Sequence, residues 1–157
     1  NPCNDTDNQP IPTAGYPDNA YFAYWDDLRF STQPGSGIFW FVDGVAPTRR
    51  LVIEWYKMGF SRGANNEVIT FNLVLYECEN KIQMCIGQTG EVARGTASVG
   101  IEDQTGLIGI QYEFGFFLAV DIDNIGEFLC SWLFLDENRI LFSFERSGQV
   151  IFQNIGN

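Results

Sequence analysis

Residues 68–77, VITFNLVLYE, decide the fold class because their side chains alternate in character along the chain. The alternate positions that begin at Ile69 are all apolar, whereas the positions between them are mixed. Successive side chains of a β-strand point to opposite faces of the sheet, so this pattern predicts a half-buried strand. The apolar set should face the core: Ile69, Phe71, Leu73 and Leu75.

Similar segments lie on both sides of this strand and are separated by turn residues. Residues 37–44 (GIFWFVDG) and 49–58 (RRLVIEWYKM) should form a hairpin around the turn VAPT. A second hairpin should join 68–77 to 82–87, and a third should join 96–103 to 107–114. Further strand segments follow at 115–123, 127–136, 139–147 and 149–155. Eight to ten short strands without a helical period predict an all-β antiparallel sandwich, or a jelly-roll-like domain.

The first nineteen residues differ from the rest of the chain. They hold four of the six prolines and have almost no apolar periodicity, which is typical of an extended arm. We therefore predict an N-terminal arm over 1–19 and one β-sandwich domain over 20–157. The chain begins at Asn1 without a methionine, as expected of a mature secreted product or of a domain from a longer protein.

Composition and charge exclude several classes of partner. The chain of 157 residues carries a net charge of −11, which repels nucleic acids and anionic membrane surfaces. Its apolar runs are strand-sized and too short to insert into a bilayer as a helix. The expected partners are therefore other extracellular proteins, copies of the chain itself, or glycans.

Four cysteines and one glycosylation sequon predict a secreted protein. Two disulfides are expected, and three pairings remain open. In a tight hairpin, Cys78 would lie at the turn and Cys85 would face Val74, which makes their mutual pairing the least favourable. The glycosylation sequon is at Asn4. The cysteines are Cys3, Cys78, Cys85 and Cys130.

Histidine is absent from the chain, which removes the commonest general base and metal ligand. Only a pair of carboxylates, as in glycoside hydrolases, would remain for catalysis. Because the chain has twenty acidic residues, finding acidic candidates is no evidence of a catalytic pair. We therefore predict that the chain has no catalytic residues and is not an enzyme. The candidate acids are Asp26, Asp27, Glu54, Glu77 and Glu102.

Calcium is the cofactor that the clustered acids would suit, because it prefers carboxylate and carbonyl oxygens. Two stretches offer such oxygens, residues 4–8 (NDTDN) and residues 121–124 with Asp121 and Asp123, and Asp26 with Asp27 could contribute oxygens too. Neither has the spacing of an EF-hand loop. The alternative for Asp26 and Asp27 is structural, since aspartate ends strands by competing for backbone hydrogen bonds.

Aromatic residues are abundant, and two interpretations of them differ. A lectin would expose rings for stacking on sugars, whereas a sandwich needs large side chains inside, and we expect the four tryptophans to fill the core. Two segments, GIFWFV and FLCSWLFL, are apolar on both faces. Each should be buried on both sides, or else part of its outer face contacts another molecule.

Five motifs together resemble a family of extracellular β-modules of secreted and surface proteins, distantly similar to nidogen-like domains. The resemblance covers residues 20 to about 114. It implies a secreted, non-catalytic β-sandwich without a generally assigned ligand. The motifs are WDDL (25–28), GIFWFVDG (37–44), APTRRLVIEWY (46–56), ITFNLVLYE (69–77) and ASVGIEDQTGLIGIQY (97–112).

These observations predict a structural or adhesive module that acts through protein–protein contacts at the cell surface or in the matrix. One alternative is a subunit of an extracellular filament that assembles by exchange of a strand or of the arm. Another alternative is a carbohydrate- or calcium-dependent binding domain.

Overall fold

A computed structural model provides the structure of this chain. It describes residues 8–15, 17–79, 81–89, 97–114, 129–136, 139–146 and 149–155. Eleven strands lie in these ranges. They are β1 (Ala20–Trp25), β2 (Leu28–Phe30), β3 (Gly37–Asp43), β4 (Arg50–Phe60), β5 (Val68–Tyr76), β6 (Lys81–Thr89), β7 (Ser98–Glu102), β8 (Gly109–Phe114), β9 (Leu129–Asp136), β10 (Arg139–Arg146) and β11 (Gln149–Ile155).

The strands form two antiparallel sheets, which confirms the prediction of an all-β fold. The small sheet has the order β1-β7-β8, and the large sheet has the order β11-β10-β9-β6-β5-β4-β2. The three predicted hairpins, β3–β4, β5–β6 and β7–β8, are all present. The predicted segment 115–123 lies outside the described residues.

Strand β4 is long enough to pair with two strands end to end along one side. Its first part, Arg50 to Tyr56, pairs with β3, and its last residues, Met58 to Phe60, pair with β2. Its other side pairs with β5. In the described part of the chain, β3 pairs with β4 and with no other strand, so it lies at an edge of the large sheet.

The core lies between the two sheets. Ile69 and Phe71 of β5 are 0% and 2% exposed, and they cluster with Tyr24 of β1 and Val99 of β7. Leu73 is also buried, and Leu75 packs against this cluster. The predicted core face of β5 is therefore confirmed.

Close approach of backbones within the small sheet requires a glycine at position 100. A Cβ built on Gly100 would lie 2.2 Å from the carbonyl oxygen of Ile110, closer than any real contact of this kind. The register of β7 against β8 shifts next to this glycine, between Val99 and Gly100. Glycine at a bulge lets neighbouring backbones approach each other closely.

The described part of the N-terminal arm docks on the small sheet. The Ile11 amide donates to Gln111 Oε1 at 2.7 Å, and Ser98 Oγ donates to the Gln9 carbonyl at 2.7 Å. Asn8 Nδ2 also donates to Ser98 Oγ, at 3.1 Å. Because Ile11 is only 4% exposed, this segment contributes to the apolar packing as well as to the hydrogen bonding.

The β5–β6 hairpin differs in register from the prediction. Cys85 lies opposite Asn72, whereas the tight turn expected at 79–81 would place it opposite Val74. The reason is the longer connection, since β5 ends at Tyr76 and β6 begins at Lys81. A longer loop moves the pairing along the strands by two residues and leaves every side chain on the expected face.

Candidate functional site

The exposed strand β3 is the most unusual surface in the part of the chain that the structure describes. We call β3 with its five apolar side chains the β3 edge. Trp40 is 73% exposed, and its neighbours on both sides are about half exposed. The five consecutive side chains are Ile38, Phe39, Trp40, Phe41 and Val42.

One face of the β3 edge continues the core face of the large sheet. Ile38 lies opposite Trp55 of β4, and Trp55 lies opposite the buried Phe71 of β5. Trp55 packs against the core cluster, whereas Ile38 and Trp40 remain exposed. The apolar face of the sheet thus extends one strand beyond the part that is buried.

The opposite face of the β3 edge carries Phe39 and Phe41, with one charge at its end. The Asp43 carboxylate accepts two hydrogen bonds from the Arg50 guanidinium, at 2.5 and 2.9 Å. These bonds, with help from the Gly44 amide, hold the pKa of Asp43 below its usual value. The only charged residue of β3 is therefore neutralised within its own hairpin.

A cavity of about 440 Å³ opens beside the β3 edge, between β1 and the large sheet. Aromatic rings line much of it, including Tyr24, Trp25 and Trp55, and Asp26 supplies a carboxylate. Burial, with a smaller contribution from the nearby Asp26, raises the pKa of the Tyr24 hydroxyl far above its usual value. The cavity is therefore mainly an apolar groove in which the Tyr24 hydroxyl stays neutral. No observation tests whether such a groove binds glycans, so glycan binding stays a prediction.

Asp26 and Asp27 close the first strand. Asp26 Oδ1 accepts a hydrogen bond from the Asp27 amide at 2.7 Å, and the Asp26 carbonyl accepts one from Leu28 at 2.9 Å. The Asp27 carbonyl accepts a hydrogen bond from the Ser61 amide at 2.8 Å. The WDDL motif thus ends β1 and leads directly into β2.

The other candidate acids lie apart and have separate partners. Glu77 forms a two-pronged ion pair with Arg49, whose hydrogen bonds lower the pKa of Glu77 to about 2. Glu102 is buried and accepts a hydrogen bond from the Thr13 amide at 3.2 Å. Glu54 lies in the middle of β4, opposite Phe39. In this arrangement Glu77 stabilises a surface turn and Glu102 anchors the arm.

The calcium prediction gains no support from the described residues. Within them, no group of three or more acidic or cysteine side chains is close enough to hold a metal ion. Asp121 and Asp123 lie in 115–128, outside the described residues. For them, calcium stays a prediction.

The cysteines occupy different environments. Cys78 is exposed and has a free thiol, which differs from the prediction that it forms a disulfide. It lies in the turn after β5 with a positive φ of 59°, whereas Cys85 is buried within β6. In the strand register Cys85 is opposite Cys130 of β9. Cys3 and Asn4 lie outside the described residues.

The expectation that the tryptophans fill the core is wrong for one of them. Trp55 stacks on Phe71 with ring centroids 4.9 Å apart, and Trp25 stacks on Phe22 at 4.8 Å. Trp40 is instead the most exposed side chain of β3. The side chain of Trp132 lies outside the described part of the structure. Alternation alone could not reveal the exposure of Trp40, although the two-sided apolar pattern of GIFWFV was the relevant signal.

Comparison with known proteins identifies the family. A family model described as NIDO related matches residues 2–116. The chain belongs to the NIDO-related family. This confirms the nidogen-like resemblance and extends it to the N-terminal arm, and it indicates an extracellular domain. No curated protein and no solved structure matches the NIDO-related chain. In the described residues, the structure has no helix long and apolar enough to cross a bilayer.

Burial of Glu102 makes the stability of the NIDO-related chain depend on pH. Burial, together with Asp18 and Asp103 nearby, raises the pKa of Glu102 above its usual 4.5. The folded chain therefore holds this proton to a higher pH than the unfolded chain does. The stability that the protonated carboxyl contributes is complete below pH 4.5 and is lost as the pH rises through the raised pKa.

We therefore expect Glu102→Gln to raise the melting temperature at pH 7, because glutamine can still accept the Thr13 hydrogen bond without carrying a buried charge. The difference from the wild type should vanish near pH 4. Thermal unfolding followed by circular dichroism at both pH values tests this. Glu79→Gln removes the same charge at an exposed position, where Glu79 lies 3.8 Å from the Lys81 ammonium in a surface ion pair of little energetic weight, and serves as the control. A melting temperature lowered by Glu102→Gln at pH 7 would contradict the prediction.

Proposed function

We propose that the chain is a secreted, non-catalytic module that acts through protein–protein contacts in the extracellular space, with the β3 edge as its contact surface. One observation carries this proposal. Five consecutive apolar side chains are about half exposed or more on a strand that lies at the edge of its sheet. Apolar exposure of this extent on a soluble domain marks an interaction surface.

One hydrogen-bonding edge of β3 has no partner strand among the described residues, and this supports the same proposal. Natural edge strands are usually protected by lysine, proline, a bulge or an inward-pointing charge. β3 has no lysine or proline, and its register with β4 runs without a shift from Gly37 to Asp43. A strand from a partner could therefore add to β3 through main-chain hydrogen bonds, with apolar contacts on both faces.

The environments of the acidic residues favour a contact function over a catalytic one. Asp26 and Asp27 connect two strands, Glu77 is paired with Arg49, and Glu102 anchors the arm. The carboxylates of Asp26, Glu77 and Glu102 thus have structural roles, and Asp27 takes part through its backbone. The absence of histidine from the sequence also removes the side chain that most often acts as a general base.

A disulfide between Cys85 and Cys130 belongs to the proposal, because it fits an oxidising extracellular environment. The two residues lie opposite each other on β6 and β9. Opposite residues on antiparallel strands have Cα atoms about 4.5–5.5 Å apart, within the range that a disulfide spans. Cys85 is also buried within β6. Glycosylation at Asn4 is the other modification that secretion would permit.

A bead-retention assay tests the contact function. Beads that carry the chain are washed over two surfaces, one coated with the same chain and one with decellularised fibroblast matrix. We expect retention on at least one surface, and we expect Trp40→Thr with Phe41→Thr to abolish it. Threonine keeps the β-propensity of the strand while removing its aromatic area.

The matched control changes a comparably exposed apolar pair in a turn of the small sheet. Leu107 and Ile108, in the β7–β8 turn, are 70% and 65% exposed. Leu107→Thr with Ile108→Thr should leave retention unchanged. Equal loss in both variants, or no retention of the wild type on either surface, would refute the β3 edge as the contact surface.

A further inference from the structure

We propose that the partner of the β3 edge is a second copy of this chain, bound by antiparallel pairing of β3 with β3 about a two-fold axis. This inference rests on the proposed contact function of the β3 edge. Pairing of this kind would join the large sheets of the two copies into one continuous sheet. It would also satisfy the main-chain groups along the open side of β3.

Symmetry restricts the register of such a pair. A two-fold axis perpendicular to the sheet keeps each face of β3 on the same side in both copies, so one residue must lie opposite its own equivalent. Centring the axis on Trp40 lets the whole strand from Gly37 to Asp43 pair. Ile38 then lies opposite Val42 of the second copy, and Phe39 lies opposite Phe41 of the second copy.

The side chains that this register places opposite each other are complementary. Aromatic side chains face aromatic side chains on one side of the joined sheet, and branched aliphatic side chains flank the two tryptophans on the other. Cross-strand pairs of these kinds stabilise antiparallel sheets. Asp43, the one charged residue of β3, falls opposite Gly37 of the second copy. No two charges of like sign are directly opposed.

The high negative charge of each chain does not oppose this pairing at close range. The two Asp43 carboxylates would lie about 20 Å apart along the strands, since each residue advances a strand by about 3.3 Å. That separation is more than twice the screening length of about 8 Å at physiological salt. Each carboxylate is also paired with Arg50 of its own chain. What remains is the diffuse repulsion between two chains of charge −11, which salt screens.

The exposed apolar area of the β3 edge approaches the area that a specific dimer needs. With about 200 Å² for each large aromatic side chain, Phe39, Trp40 and Phe41 expose on the order of 350 Å² per copy. Both copies together then contribute about 700 Å² from aromatic residues alone. Ile38, Val42 and the strongly exposed Val45 add to this area. The total approaches the roughly 1,200 Å² at the lower end of stable interfaces.

This geometry also distinguishes a dimer from a filament. A two-fold contact uses the same surface on both copies, so it closes after two chains. Open polymers require two different surfaces that meet head to tail. The β3 edge would be used up in the dimer.

Analytical ultracentrifugation tests the assembly. We expect a species of twice the 17.8 kDa chain mass, which dissociates on dilution. Trp40→Thr with Phe41→Thr should weaken association at least ten-fold, whereas the Leu107→Thr with Ile108→Thr control should remain dimeric. Raising the salt concentration from about 0.05 M to about 0.5 M should strengthen association, because it screens the like net charges. A monomer at all concentrations, or an open-ended series of larger species, would overturn the proposal.

Disulfide trapping tests the register. All variants carry Cys3→Ser and Cys78→Ser, because neither cysteine belongs to the proposed Cys85–Cys130 bridge and a free thiol would otherwise react. Ile38→Cys with Val42→Cys in one chain should give a covalent dimer under mild oxidation. Ile38→Cys alone should not, because the two equivalent positions would lie about 13 Å apart along the strands. Equal yields from the double and single variants, or no covalent dimer from the double variant, would overturn the antiparallel register.

The two experiments keep this inference separate from the proposed function. Retention on matrix that depends on the β3 edge, together with a monomer in the ultracentrifuge, would leave the contact function intact and would refute only the second copy as the partner. Retention that is unaffected by Trp40→Thr with Phe41→Thr would refute the contact function itself.

Discussion

Replacing Phe71 by alanine should lower the free energy of unfolding by about 3–5 kcal/mol. Phe71 is 2% exposed and lies between the two sheets. Its ring stacks on Trp55 at 4.9 Å and contacts Tyr24 at 5.4 Å. Truncation removes the transfer free energy of the ring and leaves a cavity that rigid neighbours cannot fill. Equilibrium unfolding in urea, followed by tryptophan fluorescence, measures the loss.

The same substitution at Phe41 is the matched control. Phe41 is also a strand phenylalanine of the large sheet, but it is 51% exposed on β3. Phe41→Ala should lower the free energy of unfolding by only about 1–2 kcal/mol at concentrations where the chain is monomeric, because about half of the side chain is already exposed. Similar costs at the two positions would contradict the assignment of the core to the space between the sheets.

The sequence predicted most of the described strands because their patterns are local. Alternation along β5 identified its buried face, and turn residues separated the hairpins. Strand β2 was missed because its three residues are too few to show a period. The register of Cys85 was off by two residues because it depends on the length of one loop. The local side-chain pattern determines that a strand forms, whereas the length of the loop sets which residues lie opposite each other on paired strands.

The candidate site was harder to predict because it depends on long-range pairing. A segment that is apolar on both faces is consistent with a buried central strand and equally with an exposed edge. The decision rests on the length of β4, which allows β2 and β3 to lie end to end along one side. Only the three-dimensional arrangement shows that the core cluster ends at Trp55 and leaves Trp40 exposed.

The family motifs gain a physical meaning from this arrangement. In WDDL, Trp25 stacks on Phe22, Asp26 fixes the turn, and Leu28 packs against the core cluster. The glycine of the ASVGIE motif, Gly100, allows β7 and β8 to approach closely. These motifs therefore hold the two sheets together. The strand GIFWFVD contributes little to the core and remains available for contacts with another molecule.

The second large loss of stability is expected from Cys85→Ser with Cys130→Ser, which would remove the proposed Cys85–Cys130 bridge. The bridge closes a loop of about 45 residues, and loop-closure entropy for that length corresponds to about 4 kcal/mol. The loop contains β7 and β8, which make up two of the three strands of the small sheet. Without the bridge the unfolded chain gains freedom, and one direct connection between β6 and β9 is lost.

Three measurements separate this expectation from its alternatives. Cys78→Ser, which removes a free and exposed thiol, should leave the urea midpoint unchanged. A reducing agent should lower the midpoint of the wild type but have no effect on the double serine variant. Peptide mapping without reduction should recover Cys85 linked to Cys130. Linkage of Cys85 to Cys3, or a wild-type midpoint insensitive to reductant, would contradict the bridge. In either case Cys85 and Cys130 would lie opposite each other in the strand register without forming a covalent bond.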